Sequence, residues 1–257
     1  MNPVLVGVLL AVFLFVGMLV LLDVGRRIGN RHLAVDPDGA RAGVGAVDGA
    51  VFGLLGLLIA FTFSGAAARF DTRRLQIVDE ANAVGTAYLR LDLLPAAAQP
   101  VLRDHFKRYV DLRLQVYQSL PDIEAARQAM GKSARLQIEI WRLAVAGCRT
   151  ESPPCATLLL AALNEMIDIT ATRTMAARIH PPWIVFGLLF VLALLASLFA
   201  GYGMAGARTR SWIHVAGFAV VMTISVYLIL DLEFPRFGLI RLHQYDDVLV
   251  ELRQSLE

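Results

Sequence analysis

The residues with the clearest functional potential line one face of an apolar stretch near the amino terminus. The stretch from residue 44 to residue 68 contains a single charged side chain, and small residues recur in it every three or four positions. In lipid, small side chains let helices pack closely, and on a face that surrounds a pore they leave the lumen open. We name this set the small-residue stripe: Gly45, Gly49, Gly53, Gly56, Ala60 and Ser64, with Thr62 adding a second hydroxyl. Helix packing and pore lining are both open interpretations of it.

Asp48 is the charged side chain of this stretch. A carboxylate inside a membrane span costs free energy and marks a functional site by default. The cost is small, however, when the residue lies within one turn of the membrane surface. An ion-contacting role and an interfacial position are therefore the two hypotheses for Asp48.

A polar group of another kind lies in the charged middle of the chain. The segments DEANAVG and LNEMIDITATRT place carboxylates and carboxamides on helices, where they could offer oxygen ligands to a hard cation such as calcium. No EF-hand loop, H-E-x-x-H or E-x-x-H motif accompanies them, so solvated faces and inter-helix hydrogen bonds are the alternative. We predict no metal centre and no cofactor. The members of this possible polar network are Glu80, Asn82, Asn164, Glu165 and Asp168.

The stretch DLEFPRFG ends the last apolar run with two acids, a proline and an arginine. In a chain that crosses the membrane four times, the second and fourth spans end on the same side. The acids then emerge in the layer where RFDTRR leaves the second span, within reach of charge-assisted hydrogen bonds. We predict a charge-paired collar, with unpaired interfacial charges as the alternative. Its members are Arg69, Arg73, Arg74, Asp231, Glu233 and Arg236.

The two cysteines bracket a short turn, CRTESPPC. Cys148 and Cys155 could close a small disulfide loop in an oxidising compartment, or they could be two independent buried thiols. Both interpretations are open at this point.

Signals for enzymes and for nucleic-acid binding are missing. The sequence contains no G-x-S-x-G, Walker A or G-x-G-x-x-G motif, and its five histidines are scattered without metal spacing. The net charge of +2 is small, and no basic patch interleaved with aromatic residues occurs. We therefore expect neither an enzyme nor a nucleic-acid partner.

Composition and hydropathy define the elements that position these residues. Hydrophobic residues make up 57% of the chain and charged residues 18%, whereas soluble domains average roughly 45–50% and about 25%. Four apolar runs are long enough to cross a bilayer as helices. The first has the wrong flanks for a cleaved signal peptide, so we expect a retained span. The runs are Pro3 to Leu22, Val44 to Ala68, Pro182 to Ala200 and Trp212 to Leu230.

The fold class predicted is an all-α membrane protein, with four transmembrane helices and a four-helix polar insert between spans 2 and 3. Proline-rich breaks divide the insert into helices over 72–94, 97–120, 121–146 and 155–179. Leucines at spacings of three and four make the tail amphipathic, fit for a partner helix or the membrane interface. The predicted divisions are 1–69 for the first two spans and their basic loop, 70–181 for the insert, 182–232 for the last two spans and 233–257 for the tail.

Arginines in the short loops predict the orientation. The loop after span 1 and the loop after span 3 are rich in arginine, which favours the cytoplasm by the positive-inside rule. We therefore expect a multi-pass membrane protein whose short loops lie in the cytoplasm and whose insert faces the outside. Arginines that border the membrane on the insert side are a counter-signal: Arg69, Arg73, Arg74, Arg173 and Arg178. The loop arginines are Arg26, Arg27, Arg31, Arg41, Arg208 and Arg210.

Several stretches together resemble a known family. FGLLGLLIAFTFSGAAARFDTRRLQIVDEANAVGTAYLRLDLLP, LNEMIDITATRT with the following HPP, and DLEFPRFGLIRL are similar to bestrophin-like bacterial membrane proteins over residues 51–242. The resemblance implies four spans, a helical domain between spans 2 and 3, and a homo-oligomeric channel whose pore is lined by span 2. Bestrophins are pentameric anion channels, some of them regulated by calcium.

The chain departs from bestrophins in three respects. Its second span offers only Phe52, Phe61 and Phe63 for an aromatic pore neck, and no acidic cluster like the calcium clasp is present. The large domain of bestrophins is cytosolic, whereas the arginine pattern here favours the opposite side. We expect a homo-oligomeric ion channel in the lipid bilayer that interacts with inorganic ions. The alternative is a membrane-anchored ligand-sensing or assembly protein that acts through its insert.

Overall fold

The structure is a computed structural model that describes residues 3–36, 44–149, 153–207, 209, 211–236, 238–240 and 242–256. The side chains of Pro3, Val4, Pro153, His243 and Gln244 are also left undescribed. Several predicted features lie outside the described residues: 37–39 of the turn DPDG, Arg41, 150–152 of the turn between the cysteines, Arg208 and Arg210.

The described chain is all-helical, as predicted. Its helices are α1 (Pro3–Val35), α2 (Val44–Leu89), α3 (Gln99–Gln118), α4 (Ile123–Cys148), α5 (Pro153–Ala176), α6 (Trp183–Gly203), α7 (Trp212–Glu233) and α8 (His243–Ser255), with a 3₁₀ turn at Arg90–Leu93. The prediction of a separate first insert helix over 72–94 was wrong. α2 continues without a break because neither proline nor glycine interrupts the stretch from Ala66 to Val84.

Five described helices are long and apolar enough to cross a membrane: α1, α2, α5, α6 and α7. Mean hydropathy in the most apolar part of each is 3.1 for α1, 2.1 for α2, 2.7 for α6 and 2.2 for α7, against 1.3 for α5. α2 has 46 residues, a length of about 69 Å at 1.5 Å per residue. A hydrocarbon core of about 30 Å takes up less than half of that length, so a large part of α2 lies beyond the membrane.

The chain divides into two compact units. Unit 1 comprises Met1–Ala68 and His180–Leu239, and unit 2 comprises Arg69–Ile179 and Ile240–Glu257. The four strongly apolar stretches belong to unit 1, whereas α3, α4, α5 and α8 belong to unit 2.

Close packing in unit 1 centres on α1 and α6. A β-carbon added at Gly25 would lie 2.0 Å from the carbonyl oxygen of Leu198, and one at Gly201 would lie 2.1 Å from that of Leu22. Only glycine permits such an approach of two helix backbones. Gly25 and Gly29 form a G-x-x-x-G pair on α1, and no stabilising role was predicted for it from the sequence.

The carboxyl-terminal ends of α1 and α6 lie together in unit 1. His32 Nδ1 is 3.2 Å from the hydroxyl of Tyr202, and Arg26 donates to the carbonyl oxygen of Ala207 at 2.8 Å. The backbone N–H of Gly206 donates to Asn30 at 2.8 Å. α1 and α6 therefore run in parallel.

Unit 2 is a helical bundle with a continuous apolar core. α4 turns its small and apolar face inward, and its first turn is capped by Asp122, whose carboxylate accepts from the N–H groups of Glu124 and Ala125. The core joins residues of α2, α3, α4 and α5, among them Ala87, Phe106, Ile140 and Leu163, all 0% exposed.

The tail helix α8 packs within unit 2. Leu249 and Leu256 are buried, Tyr88 donates to the carbonyl oxygen of Leu256 at 2.9 Å, and Arg253 pairs with Asp111 at 2.7 Å. The apolar face that the sequence offered to a partner helix or to the membrane interface is therefore covered by helices of the same chain.

Candidate functional site

The small-residue stripe is exposed on α2. Among the described residues, a β-carbon added at Gly45, Gly49, Gly53 or Gly56 would meet no atom within 4 Å. Ala60 and Ser64 are exposed as well. Only 6% of the most apolar part of α2 is buried, against 17% for α1, 28% for α7 and 39% for α6. The glycines of the stripe therefore do not pack tightly against any described part of the same chain, and the stripe is available to other copies, to lipid or to a lumen.

The polar members of the stripe differ in what they offer. The Thr62 hydroxyl donates back to the carbonyl oxygens of Leu58 and Ile59 at 2.7 and 3.1 Å, so its hydrogen is held by its own helix. Ser64 is exposed, and Asp48 is half-buried without an ion pair to any described residue. Within the apolar first part of α2, Asp48 and Ser64 are therefore the polar groups left open to a partner or an ion.

Two sequence motifs meet in unit 1, although they are more than 50 residues apart. His180 of the HPPW stretch lies with Nδ1 2.9 Å from Oε1 of Glu233, which is 0% exposed. The His180 ring also stacks on Phe234, with 4.6 Å between ring centroids, and Trp183 stacks on the same ring at 6.2 Å. The end of α7 is thus joined to the start of α6.

Asp231 organises the turn that follows α7. Its Oδ1 accepts the backbone N–H of Leu239 at 2.9 Å, and the Tyr227 hydroxyl is a further hydrogen-bond partner. A β-carbon at Gly238 would lie 1.7 Å from Oδ1 of Asp231, so the turn requires glycine there. Asp231, a predicted member of the collar, thus holds the turn that follows α7.

The arginines of the predicted collar have partners within unit 2. Arg73 is buried and donates to the carbonyl oxygens of Ala176 and Ile179 at 3.2 and 3.0 Å. Arg74 pairs with Asp71 at 3.2 Å and donates to the Tyr245 hydroxyl at 3.3 Å. The collar itself would join these arginines and Arg69 to acids of unit 1 beside Arg236, and it remains a prediction.

A buried ion triad crosses the core of unit 2. Glu80 is 0% exposed and accepts from Arg113 Nε at 2.5 Å, while Arg173 donates to its other carboxylate oxygen. The ring of Tyr117 lies against both guanidinium groups, 5.3 Å from that of Arg113 and 4.3 Å from that of Arg173. Sequence analysis selected Glu80 and named Arg173 only as an arginine that borders the membrane. It did not pair either arginine with Glu80, because nothing in the spacing links positions 80, 113 and 173.

Electrostatics keeps this triad charged. Burial alone raises the pKa of Glu80, but the guanidinium groups of Arg113 and Arg173 outweigh it and hold that pKa below its usual value. For Arg113 burial acts in the other direction and lowers the pKa, but Tyr117 and Glu80 outweigh it and raise that pKa above its usual value. Next to the triad, burial raises the pKa of Tyr109 to about 12, and the Tyr109 hydroxyl shares a hydrogen bond of 2.9 Å with Thr170.

The remaining members of the predicted polar network do come together. They line an open groove of about 740 Å³ between α2 and α5 in unit 2. Glu80 is not part of it, since its side chain points into the core. No group of three or more histidine, cysteine or acidic side chains suited to a metal ion occurs among the described residues. The lining comprises Asp79, Asn82, Ala83, Ala161, Asn164, Glu165, Asp168, Ile169 and Thr172.

The two cysteines are joined. Cys148 at the end of α4 and Cys155 in the first turn of α5 form a disulfide with 5.5 Å between their Cα atoms. Both side chains are buried in the core of unit 2. The bridge links two helices whose connecting turn contains Pro153, where α5 begins.

A family model described as the bestrophin-like domain matches residues 11–242 of the chain. The chain belongs to the bestrophin-like family. The resemblance stated from residues 51–242 is therefore confirmed, and the match extends into α1. No curated protein matches the chain.

Two solved structures share the bestrophin-like fold of this chain. One is a mutant of a bacterial bestrophin homologue from Klebsiella pneumoniae, 14% identical, with a TM-score of 0.71 and coverage of 94% of this chain and 95% of the other. The second is a mutant of a membrane protein, 16% identical, with a TM-score of 0.62 and coverage of 94% and 97%. At such identities the likeness is one of fold.

Proposed function

We propose that this bestrophin-like protein is a homo-oligomeric ion channel whose pore is lined by the small-residue stripe of α2. The observation that carries the proposal is the exposure of the stripe. Four glycines on one face of an apolar helix meet open space, although small residues in lipid normally mark close helix contacts or a lumen. Membership of a family whose known members include ion channels supports the same function.

The proposed channel has four spans: α1, the first part of α2, α6 and α7. α5 is apolar enough to be a fifth candidate, but its Arg173 belongs to the buried triad with Glu80 and Arg113. In a bilayer this cluster of three charges would be costly. Packing of α5 in the extramembrane bundle of unit 2 accounts for its apolar face without that cost.

Asp48 is proposed as an ion-contacting residue near one end of the pore. It lies about one turn after Gly45 and directly before Gly49, which at 100° per residue places it beside one edge of the small-residue stripe, and it has no cation partner among the described residues. A carboxylate there would concentrate cations and repel anions by Coulomb interaction. We therefore expect Asp48 to make the pore prefer cations over anions.

Recording from purified protein in planar bilayers tests the proposal. The native chain should produce unitary currents, and Asp48→Asn should shift the reversal potential in a salt gradient toward lower cation preference. Ser64→Ala, which removes a neutral polar group from the small-residue stripe, is the control and should leave the reversal potential unchanged. Ordered oligomers that pass no ion would overturn the channel.

We further propose that unit 2 lies on the oxidising, periplasmic side of the bacterial inner membrane. The disulfide between Cys148 and Cys155 supports this side, as do the arginines of the short loops. In intact cells, a membrane-impermeant thiol reagent should label these cysteines only after reduction with an impermeant phosphine. Labelling that requires lysis would place unit 2 in the cytoplasm.

The groove between α2 and α5 favours a second candidate function, ligand sensing by unit 2. Its volume of about 740 Å³ falls within the usual range of small-molecule sites, roughly 300–1,000 Å³. A thermal-shift screen of cationic metabolites would support a sensor if one of them stabilises the native chain but not Glu165→Gln. Absence of any such ligand alongside channel currents would leave the channel as the function.

A further inference from the structure

Two surfaces of unit 2 carry charges of opposite sign, and neither set of charges forms ion pairs with other described residues of the chain. The first is the groove between α2 and α5, with Asp79 on one wall and Glu165 and Asp168 on the other. None of these three carboxylates makes an ion pair with a cation in the part of the chain that the structure describes. Each of them is exposed at the mouth of the groove.

The second surface is the outer face of α4, which we call the basic stripe: Lys132, Arg135, Arg142 and Arg149. With 100° between successive residues, these positions share one side of the helix. The opposite side, which includes Leu136, Ile140 and Ala144, is buried in the core. No member of the basic stripe pairs with an acid among the described residues, whereas Arg127 on the same helix pairs with Glu124 at 3.1 Å.

The two surfaces also match in their apolar parts. Ile138 and Leu143 lie among the basic residues and are 53% and 38% exposed. Ala83, Ala161 and Ile169 form apolar parts of the groove lining. Contact between the two surfaces would therefore bury apolar as well as charged side chains, as protein interfaces do. The only acid within the basic stripe, Glu139, faces His105 of α3 at 3.7 Å.

Symmetry indicates that the partner is a second copy of the chain. Copies inserted in one direction are related by an axis perpendicular to the membrane, and rings of three or more copies use two different patches at each interface. The groove and the basic stripe are two such patches. Because both belong to one helical bundle, they meet only between copies.

We propose that the basic stripe of one copy docks on the acidic groove of the next, so that the helical inserts form a closed ring. This proposal rests on the homo-oligomeric channel proposed above and names the surface through which its inserts meet. Guanidinium groups bind carboxylates in bidentate geometry, which fixes orientation. Because exposed ion pairs are individually weak, the contact sets the direction and register of the ring, while the spans supply most of the association.

Chemical crosslinking of the full-length native protein tests this contact directly. The chain contains only two lysines, Lys107 and Lys132. A zero-length carbodiimide joins a lysine amine to a carboxylate only where the two are in contact. In detergent at low salt, it should yield covalent dimers and larger species in which Lys132 is linked to Asp79, Glu165 or Asp168 by peptide mass analysis.

Matched variants separate the contact from folding. Lys132→Arg keeps the charge but removes the reactive amine, so crosslinked dimers should disappear while the oligomer in detergent keeps its mass. Arg135→Glu with Arg142→Glu should lower the dimer yield about tenfold, since like charges then face each other. Adding Glu165→Lys and Asp168→Lys to that variant should restore the yield. Arg108→Glu, on the exposed side of α3, should have no effect.

The outcomes distinguish this contact from the channel itself. An intact oligomer in which Lys132 is never linked to another copy would overturn the ring contact and leave the channel standing. A monomer in detergent would contradict the channel. Stoichiometric binding of calcium or spermine that is lost in Glu165→Lys with Asp168→Lys, combined with no link between copies, would make the groove a cation site and overturn the contact.

Discussion

Glu80 shows how much a single side chain decides in unit 2. It is completely buried between Arg113 and Arg173, and Tyr117 covers both guanidinium groups. A buried ion group is weak evidence for net stability, yet removing one partner leaves an uncompensated buried charge. The triad joins α2, α3 and α5, because Glu80 pairs with Arg113 on one side and with Arg173 on the other.

Glu80→Gln should destabilise the protein by roughly 3–5 kcal/mol, because two buried guanidinium groups lose their counter-charge. Unfolding of the purified protein by heat or urea, followed by circular dichroism, measures the change. Asp79→Asn is the matched control: it removes the neighbouring carboxylate, which is exposed, and should cost less than about 0.5 kcal/mol. Equal effects of the two substitutions would contradict a structural triad.

Stability should also depend on pH through Glu80. Burial raises the pKa of Glu80, but Arg113 and Arg173 together hold it below its usual value in the folded chain. Between the two pKa values the unfolded chain binds a proton that the folded chain does not, so Glu80 stabilises the fold fully above about pH 4.3. That contribution is lost as the pH falls through the folded-state pKa. The stability difference between the native chain and Glu80→Gln should therefore shrink on acidification; a constant difference would contradict it.

At the scale of elements, helices were more predictable than their contacts. The apolar runs and proline breaks predicted the last three helices of the insert to within a few residues, because 3.6-residue periodicity and breakers are local signals. Two helices expected between residues 44 and 94 proved to be one, since no breaker separates them. The contacts of the glycines could not be predicted in this way, because a small-residue pattern predicts close approach but not the partner. The close contacts of Gly25 and Gly201 were therefore missed, whereas the small-residue stripe of α2 was selected.

The two kinds of glycine should respond oppositely to the same substitution. Gly25→Ala forces a β-carbon to within 2.0 Å of the Leu198 carbonyl oxygen, so it should cost about 1–3 kcal/mol or more by overpacking. Gly53→Ala meets open space and removes backbone entropy from the unfolded chain, so stability should be unchanged or slightly higher. Thermal unfolding in detergent compares them. A larger loss for Gly53→Ala would mean that the stripe packs within the chain.

At the scale of the whole molecule, the residues singled out for chemistry separate into two classes. Glu80, Asp231 and Glu233 are buried and hold their units together through Arg113, Leu239 and His180. The α2 stripe and the charged faces of unit 2 are exposed and have no partner among the described residues of the same chain. Sequence patterns select both classes. Only burial in the structure distinguishes polar groups that stabilise the fold from exposed surfaces that could bind another copy or an ion.

The central claim is that the small-residue stripe lines the pore, and unitary conductance of Gly53→Leu tests it most directly. In the oligomer, one leucine from each copy would then surround the pore and form a hydrophobic constriction that excludes water, so conductance should fall about tenfold or vanish. Gly187→Leu is the matched control, because a β-carbon there also meets nothing within 4 Å but lies on α6. Its conductance should equal that of the native chain. If Gly53→Leu conducts like the native chain, a pore lined by α2 is contradicted, whether or not Gly187→Leu loses conductance.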